Sequence, residues 1–96
     1  MNVPKEIAEK AKQYQEAMNV ANKAFEEVTE WLKNNTEADG VFINSLFVVD
    51  KPTGKKQGDG EYCEQHSIGF DGDCFYGNYY HPIEGSTQYL GYAYDC

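Results

Sequence analysis

Three cysteines and two histidines, Cys63, His66, Cys74, His81 and Cys96, are the residues of this chain best suited to metal or nucleophile chemistry. Thiolate and neutral imidazole are the ligands zinc prefers, and a thiol beside an imidazole is how a nucleophile meets its base. Their spacing matches neither use: no pair of cysteines is separated by two to four residues, and the histidines are fifteen positions apart. An odd number of cysteines without a secretory leader points to thiols in a reducing compartment rather than a disulfide framework. Asp71-Gly72-Asp73 starts like a calcium loop, but no further ligand follows at the next alternate position and no glutamate closes the set, so it is read as a turn. Gly54-Lys55-Lys56 lacks the glycine spacing and the strand-to-helix setting of a phosphate-binding loop.

Charge narrows the field further. Sixteen acids face eight lysines over 96 residues, a formal net charge of -8 with no arginine. Phosphate recognition runs on Lys and Arg neutralising the backbone, so this balance argues against direct binding of nucleic acid or an anionic membrane. The asymmetry is local: residues 57–96 hold seven acids and neither Lys nor Arg, whereas residues 1–56 are close to neutral. No stretch approaches the roughly 18 apolar residues that a membrane span needs, and a cytoplasmic location is expected.

The elements that must position these groups are legible in part. Ile7, Ala11, Tyr14, Met18, Ala21, Phe25, Val28 and Leu32 recur at alternating steps of four and three, which predicts a helix over about 4–34. Asn2 is placed to cap it and Pro4 suits its first turn. A second row, Ala17, Ala24 and Trp31, widens the stripe toward the C-terminal half and calls for a sheet beneath it. A helix of that length outreaches any strand, so its first two turns are expected to overhang, and the narrow end with Ile7, Ala11 and Tyr14 is expected to be either frayed or met by a second copy in a homodimer. Residues 41–50 form a branched and aromatic run that reads as a strand covered on both faces. Residues 51–60 read as a polar, glycine-rich loop. Beyond it, turn signals at Asp71-Gly72 and Glu84-Gly85 predict strands at about 61–70, 74–83 and 87–95. The expected architecture is a single α+β domain over 1–96, one long N-terminal helix packed on an antiparallel meander of about four strands.

Two-residue turns set a pairing. Ile68 then lies opposite Phe75, His66 opposite Gly77 and Tyr62 opposite His81, sharing the helix side with Leu90, Tyr92 and Tyr94. The outer side carries Cys63, Gln65, Ser67, Cys74, Tyr76, Asn78, Tyr80, Tyr89 and Asp95. On that pairing Cys63 and His66 point to opposite faces, which excludes a zinc site built on them, and neither metal nor cofactor is expected. A sheet face without a concave pocket excludes little water, so a binding module is expected rather than an enzyme. Its binding residues are Tyr76, Tyr80 and Tyr89, rigid contact surfaces with polar tips, within a negative surround of Glu64, Asp71, Asp73 and Asp95. The matching partner is a basic protein surface. The competing class is a small metal-binding or thiol-active protein using Cys63, His66, Cys74 and His81.

Asp59-Gly60-Glu61-Tyr62-Cys63, the run from Asp71 to Tyr80, Pro82-Ile83 and Gln88-Tyr89-Leu90 together resemble small uncharacterised acidic proteins of bacterial phages and mobile elements. The resemblance covers about the last forty residues. It implies a context rather than residue roles: an inhibitor of a host nucleic-acid-binding protein, of the anti-CRISPR kind, or a structural phage protein that dimerises through its helix.

Overall fold

The computed structural model describes residues 1–58, 60–68 and 74–95. Helix α1 spans Lys5–Asn35, followed by strands β1 (Phe42–Val49), β2 (Lys55–Lys56), β3 (Tyr62–Ile68), β4 (Cys74–Pro82) and β5 (Tyr89–Asp95). The strands form one antiparallel sheet in the order β1-β5-β4-β3-β2, which gives the α+β architecture with one more strand than expected. The addition is β2, two residues taken from the polar loop and paired with Tyr62 and Cys63. A two-residue strand has no periodicity from which it could be foreseen.

Helix α1 opens without a side-chain cap: Asn2 does not fill that role, and the Pro4 carbonyl instead accepts bonds from the Ile7 and Ala8 amides. Its end is tied more firmly. The Thr36 amide and hydroxyl both donate to the Leu32 carbonyl, at 2.9 and 2.6 Å, and the Ala38 amide donates to the same hydroxyl. These bonds satisfy a last-turn carbonyl that would otherwise lack a partner and turn the chain so that Ala38 becomes fully buried.

The core lies at this end. Leu32, Ala38 and Tyr92 are buried together, with Val28, Val41, Ile43, Leu46, Tyr79, Leu90 and Tyr94 packed around them. The helix therefore meets the sheet with its last turns only. At 1.5 Å per residue it is about 46 Å long, and upstream of Phe25 every residue is exposed, including Ile7, Tyr14 and Met18. The expected overhang of two turns extends over most of the helix.

Strand β1 departs from expectation as well. Instead of sitting covered on both faces it forms an edge of the sheet, with Phe42 and Val48 largely exposed. Its apolar run feeds two layers: Ile43 and Leu46 face the helix, whereas Phe47 faces the other way, against Tyr80. A register shift between Ile43 and Ser45 bulges the strand at Asn44.

The pairing of β4 with β5 sets Tyr79 opposite Tyr92 and His81 opposite Leu90, so Leu90, Tyr92 and Tyr94 occupy the helix side as expected. The loop between them is longer than a two-residue turn, since the Ile83 amide donates to the Gln88 carbonyl. Between β3 and β4 the register is one residue from expectation: Tyr62 pairs with Tyr80, Glu64 with Asn78 and His66 with Tyr76. The face assignment of β3 is thereby reversed. Cys63 and Gln65 belong to the helix side, and Tyr62, Glu64 and His66 to the outer side. The expected Asp71-Gly72 turn lies outside the described residues.

Candidate functional site

The outer face divides into a closed half and an open half. Residues 50–54 must carry the chain from β1 at one edge to β2 at the other, about 19 Å at the usual strand spacing, and they cross the closed half. Asp50 accepts from the Gln88 side chain, and the Thr53 hydroxyl lies 2.6 Å from Glu64 Oε2 and 2.9 Å from the Tyr80 hydroxyl. Beneath this strap Phe47 and Tyr80 meet edge to face at 5.8 Å over Gly91, and Tyr62 and Tyr89 do the same. Gly91 is required there because a Cβ would run into the Phe47 ring and come within 2.9 Å of Tyr80. Tyr80 is only 4% exposed.

The open half carries a shallow hollow of about 460 Å³ lined by Asn44, Glu64, His66, Tyr76, Asn78 and Asp95. Strand alternation delivers Glu64 and His66 from β3, Tyr76 and Asn78 from β4 and Asp95 from β5, and the β1 bulge supplies Asn44. The His66 and Tyr76 rings stack at 5.1 Å, and Tyr76 is 43% exposed. The Asn44 side-chain amide donates to Asp95 at 3.0 Å, and Glu64 Oε1 lies 3.6 Å from His66 Nε2. Two carboxylates thus flank an aromatic floor. Such an open depression suits a protruding side chain better than an enclosed small molecule.

The helix side holds a second polar cluster. His81 places both ring nitrogens against carboxylates: Nε2 lies 2.9 Å from Glu37 Oε2 and Nδ1 lies 3.2 Å from Glu61 Oε1. The ring is thus clamped between two acids, one within hydrogen-bond reach of each nitrogen. The Tyr79 hydroxyl donates to the other Glu61 oxygen, and the rings of Tyr79, His81 and Tyr92 lie nearly parallel. Burial, followed by the neighbouring Glu37 and Glu61, raises the Tyr79 phenol well above its usual range. Burial and the Glu37 charge do the same to Tyr92, and burial with the Cys63 contact does so to Tyr94.

Donor atoms of Glu37, Glu61 and His81 lie within 4.8 Å of one another, close enough to hold a metal ion. The two acids approach opposite nitrogens of one ring, however, so an ion on Nε2 would leave Glu61 as the partner of Nδ1 rather than a ligand. The clamp accounts for all three residues as it stands. It ties the segment after α1, the approach to β3 and the end of β4 together. Spacing along the chain gives no hint of it, because its members come from three unrelated segments.

Of the binding residues expected from sequence, Tyr76, Glu64 and Asp95 are brought together in the open hollow. Tyr80 is not available there, being packed under the strap, and the half-buried Tyr89 belongs to the same closed half. Asp71 and Asp73 lie outside the described residues. His66, Asn44 and Asn78 join the hollow instead, His66 because of the one-residue difference in register. Cys63 and His66 do lie on opposite faces, each on the reverse of its expected side. Cys63 is a free thiol 3.6 Å from the Tyr94 hydroxyl. No helix of the described residues is long and apolar enough to cross a membrane. No protein-family model, curated protein or solved structure matches the chain.

Proposed function

We propose that the chain is a non-enzymatic binding module that presents the open half of its outer sheet face to a basic protein surface. The observation that carries this reading is the pair of carboxylates, Glu64 and Asp95, flanking the exposed Tyr76 and His66 stack. A Lys or Arg side chain entering the hollow would meet opposite charge at its rim and ring faces at its floor, and both attract a cation. The excess of acids over residues 57–96 would steer such a partner from a distance. The resemblance to acidic phage and mobile-element proteins supports a host nucleic-acid-binding protein as the target class, inhibited in the manner of an anti-CRISPR protein.

The test is to identify the basic protein that co-purifies with the chain from its own cell and to measure the pair directly. Glu64→Lys with Asp95→Lys should weaken binding by at least tenfold and flatten its salt dependence, and Tyr76→Ala should weaken it by a smaller factor. A partner held equally well by the charge-reversed variant, at any ionic strength, would refute the acidic-face reading.

A second reading is favoured by the exposure of Ile7, Ala11 and Tyr14: the chain self-associates through its helix. Sedimentation at a series of concentrations tests it, and a mass that stays monomeric throughout would dismiss it.

A further inference from the structure

The free part of α1 is patterned for a partner helix. In residues 11–31 every charged side chain, from Lys12 to Glu30, lies on one side of the helix. The opposite side carries the row Ala11, Tyr14, Met18, Ala21, Phe25 and Val28, flanked only by uncharged residues such as Gln15, Asn22, Ala17 and Ala24. Over those residues about half the circumference is therefore free of charge, and nearer the start of the helix Lys10 flanks the row. Yet Ile7 is 58% exposed and Tyr14 67% exposed, and the sheet reaches only the last turns. A row repeating every seven residues holds its seam toward a neighbouring helix, whereas a straight helix on a sheet has no need of so strict a repeat.

We infer that this seam is closed by the helix of a second copy running antiparallel, about a two-fold axis near Glu16; this rests on the self-association reading. Around that axis Ile7 comes opposite Phe25 of the other copy, Ala11 opposite Ala21, and Tyr14 opposite Met18. The small side chains of Ala11 and Ala21 then face each other, and next to the axis the aromatic ring meets a thioether, a favourable contact. A parallel pair would set Tyr14 on Tyr14. It would also crowd both sheets against the same end of the seam, since each sheet sits on the seam side at Val28 and Leu32. Antiparallel pairing sends the sheets to opposite ends, and the overlap stops at Phe25, where each helix begins to meet its own sheet. That overlap, about 30 Å long, makes a closed isologous contact. It is at the small end for specific interfaces, so the dimer should dissociate on dilution.

Light scattering on the full chain over a concentration series should show the mass rising from one copy toward two. Tyr14→Lys and Ala11→Glu alter exposed positions and should leave the circular dichroism of the monomer unchanged while weakening association at least tenfold. Orientation is read by mixing Ala11→Cys chains with Ala21→Cys chains, oxidising, and mapping the new disulfide by peptide mass: an 11-to-21 bond is expected. A chain monomeric at every concentration defeats self-association itself. A dimer that both charged variants leave intact places the contact elsewhere, at the β1 edge for example, and overturns the helix pair. A dimer sensitive to both variants but cross-linked 11-to-11 overturns the antiparallel arrangement while leaving helix pairing in place.

Discussion

Strand β5 and helix α1 are both rich in apolar and aromatic side chains, yet their fates differ. Tyr92 of β5 is 1% exposed and packs with Leu32, Ala38 and three further rings, whereas Tyr14 of α1 stands in solvent. An apolar row states that a surface is to be covered and is silent about what covers it. In the sheet the cover is supplied by the chain itself, by the last turns of α1 on one face and by the strap of residues 50–54 on half of the other. Along most of α1 none of the described residues supplies it.

The contrast is sharpest in the effect of removing a side chain. Leu32→Ala empties part of a fully buried cluster and should cost about 2–5 kcal/mol. Tyr14→Ala, measured in urea at concentrations where the chain is monomeric, should stay within about 0.5 kcal/mol of the parent. Similar losses at both positions would mean that the helix lies along the sheet after all and that the comparison is mistaken.

The same unevenness explains what could be foreseen. The faces of β4 and β5 follow from the alternation of Tyr79, His81, Leu90 and Tyr92, and they survive the error in the second turn. The real loop changes the pairing by two residues, and an even change returns each side chain to its own face. Between β3 and β4 the difference is a single residue, which carries His66 into the outer hollow and Cys63 under the helix. Turn chemistry at Asp71-Gly72 fixes the existence of a reversal but not the parity of its loop. Tyr80 was legible as an outer-face residue but not as a buried one, because its cover is an irregular strap with no periodic signature. Glu37, Glu61 and His81 converge only once the sheet order is known.

Within the outer face the strap makes a second contrast, between closed and open halves. Gly91→Ala places a methyl against the Phe47 ring and Tyr80, so overpacking should cost about 1–3 kcal/mol. If urea midpoints show Gly91→Ala to be neutral, the closed half is looser than its contacts imply. Thr53→Ala removes the hydroxyl that bridges Glu64 and Tyr80 and should cost about 1 kcal/mol. It should also release Glu64 Oε2, the oxygen held by the strap, without disturbing the His66 and Tyr76 stack, which the imidazole proton shifts in a nuclear magnetic resonance spectrum would report.

The smallest effect near neutrality, and the most selective, belongs to the phenols of the helix side. Tyr79, Tyr92 and Tyr94 are held neutral above their ordinary range, chiefly by burial, so between the unfolded value near 10 and their folded values the unfolded chain binds fewer protons than the folded one. The stability they contribute is therefore complete below about pH 10 and declines as pH rises beyond it. The phenolate absorbance of Tyr79, Tyr92 and Tyr94 should be missing near pH 10 and appear only as the fold is lost. Tyr79→Phe deletes one of the three retained protons, so the fall of stability with pH beyond 10 should become shallower by about one proton's worth, or 1.4 kcal/mol per pH unit. An intact fold in which all the tyrosines titrate together near pH 10 would show that water reaches the helix side of the sheet as freely as it reaches Tyr14, and the difference between the two regions would vanish.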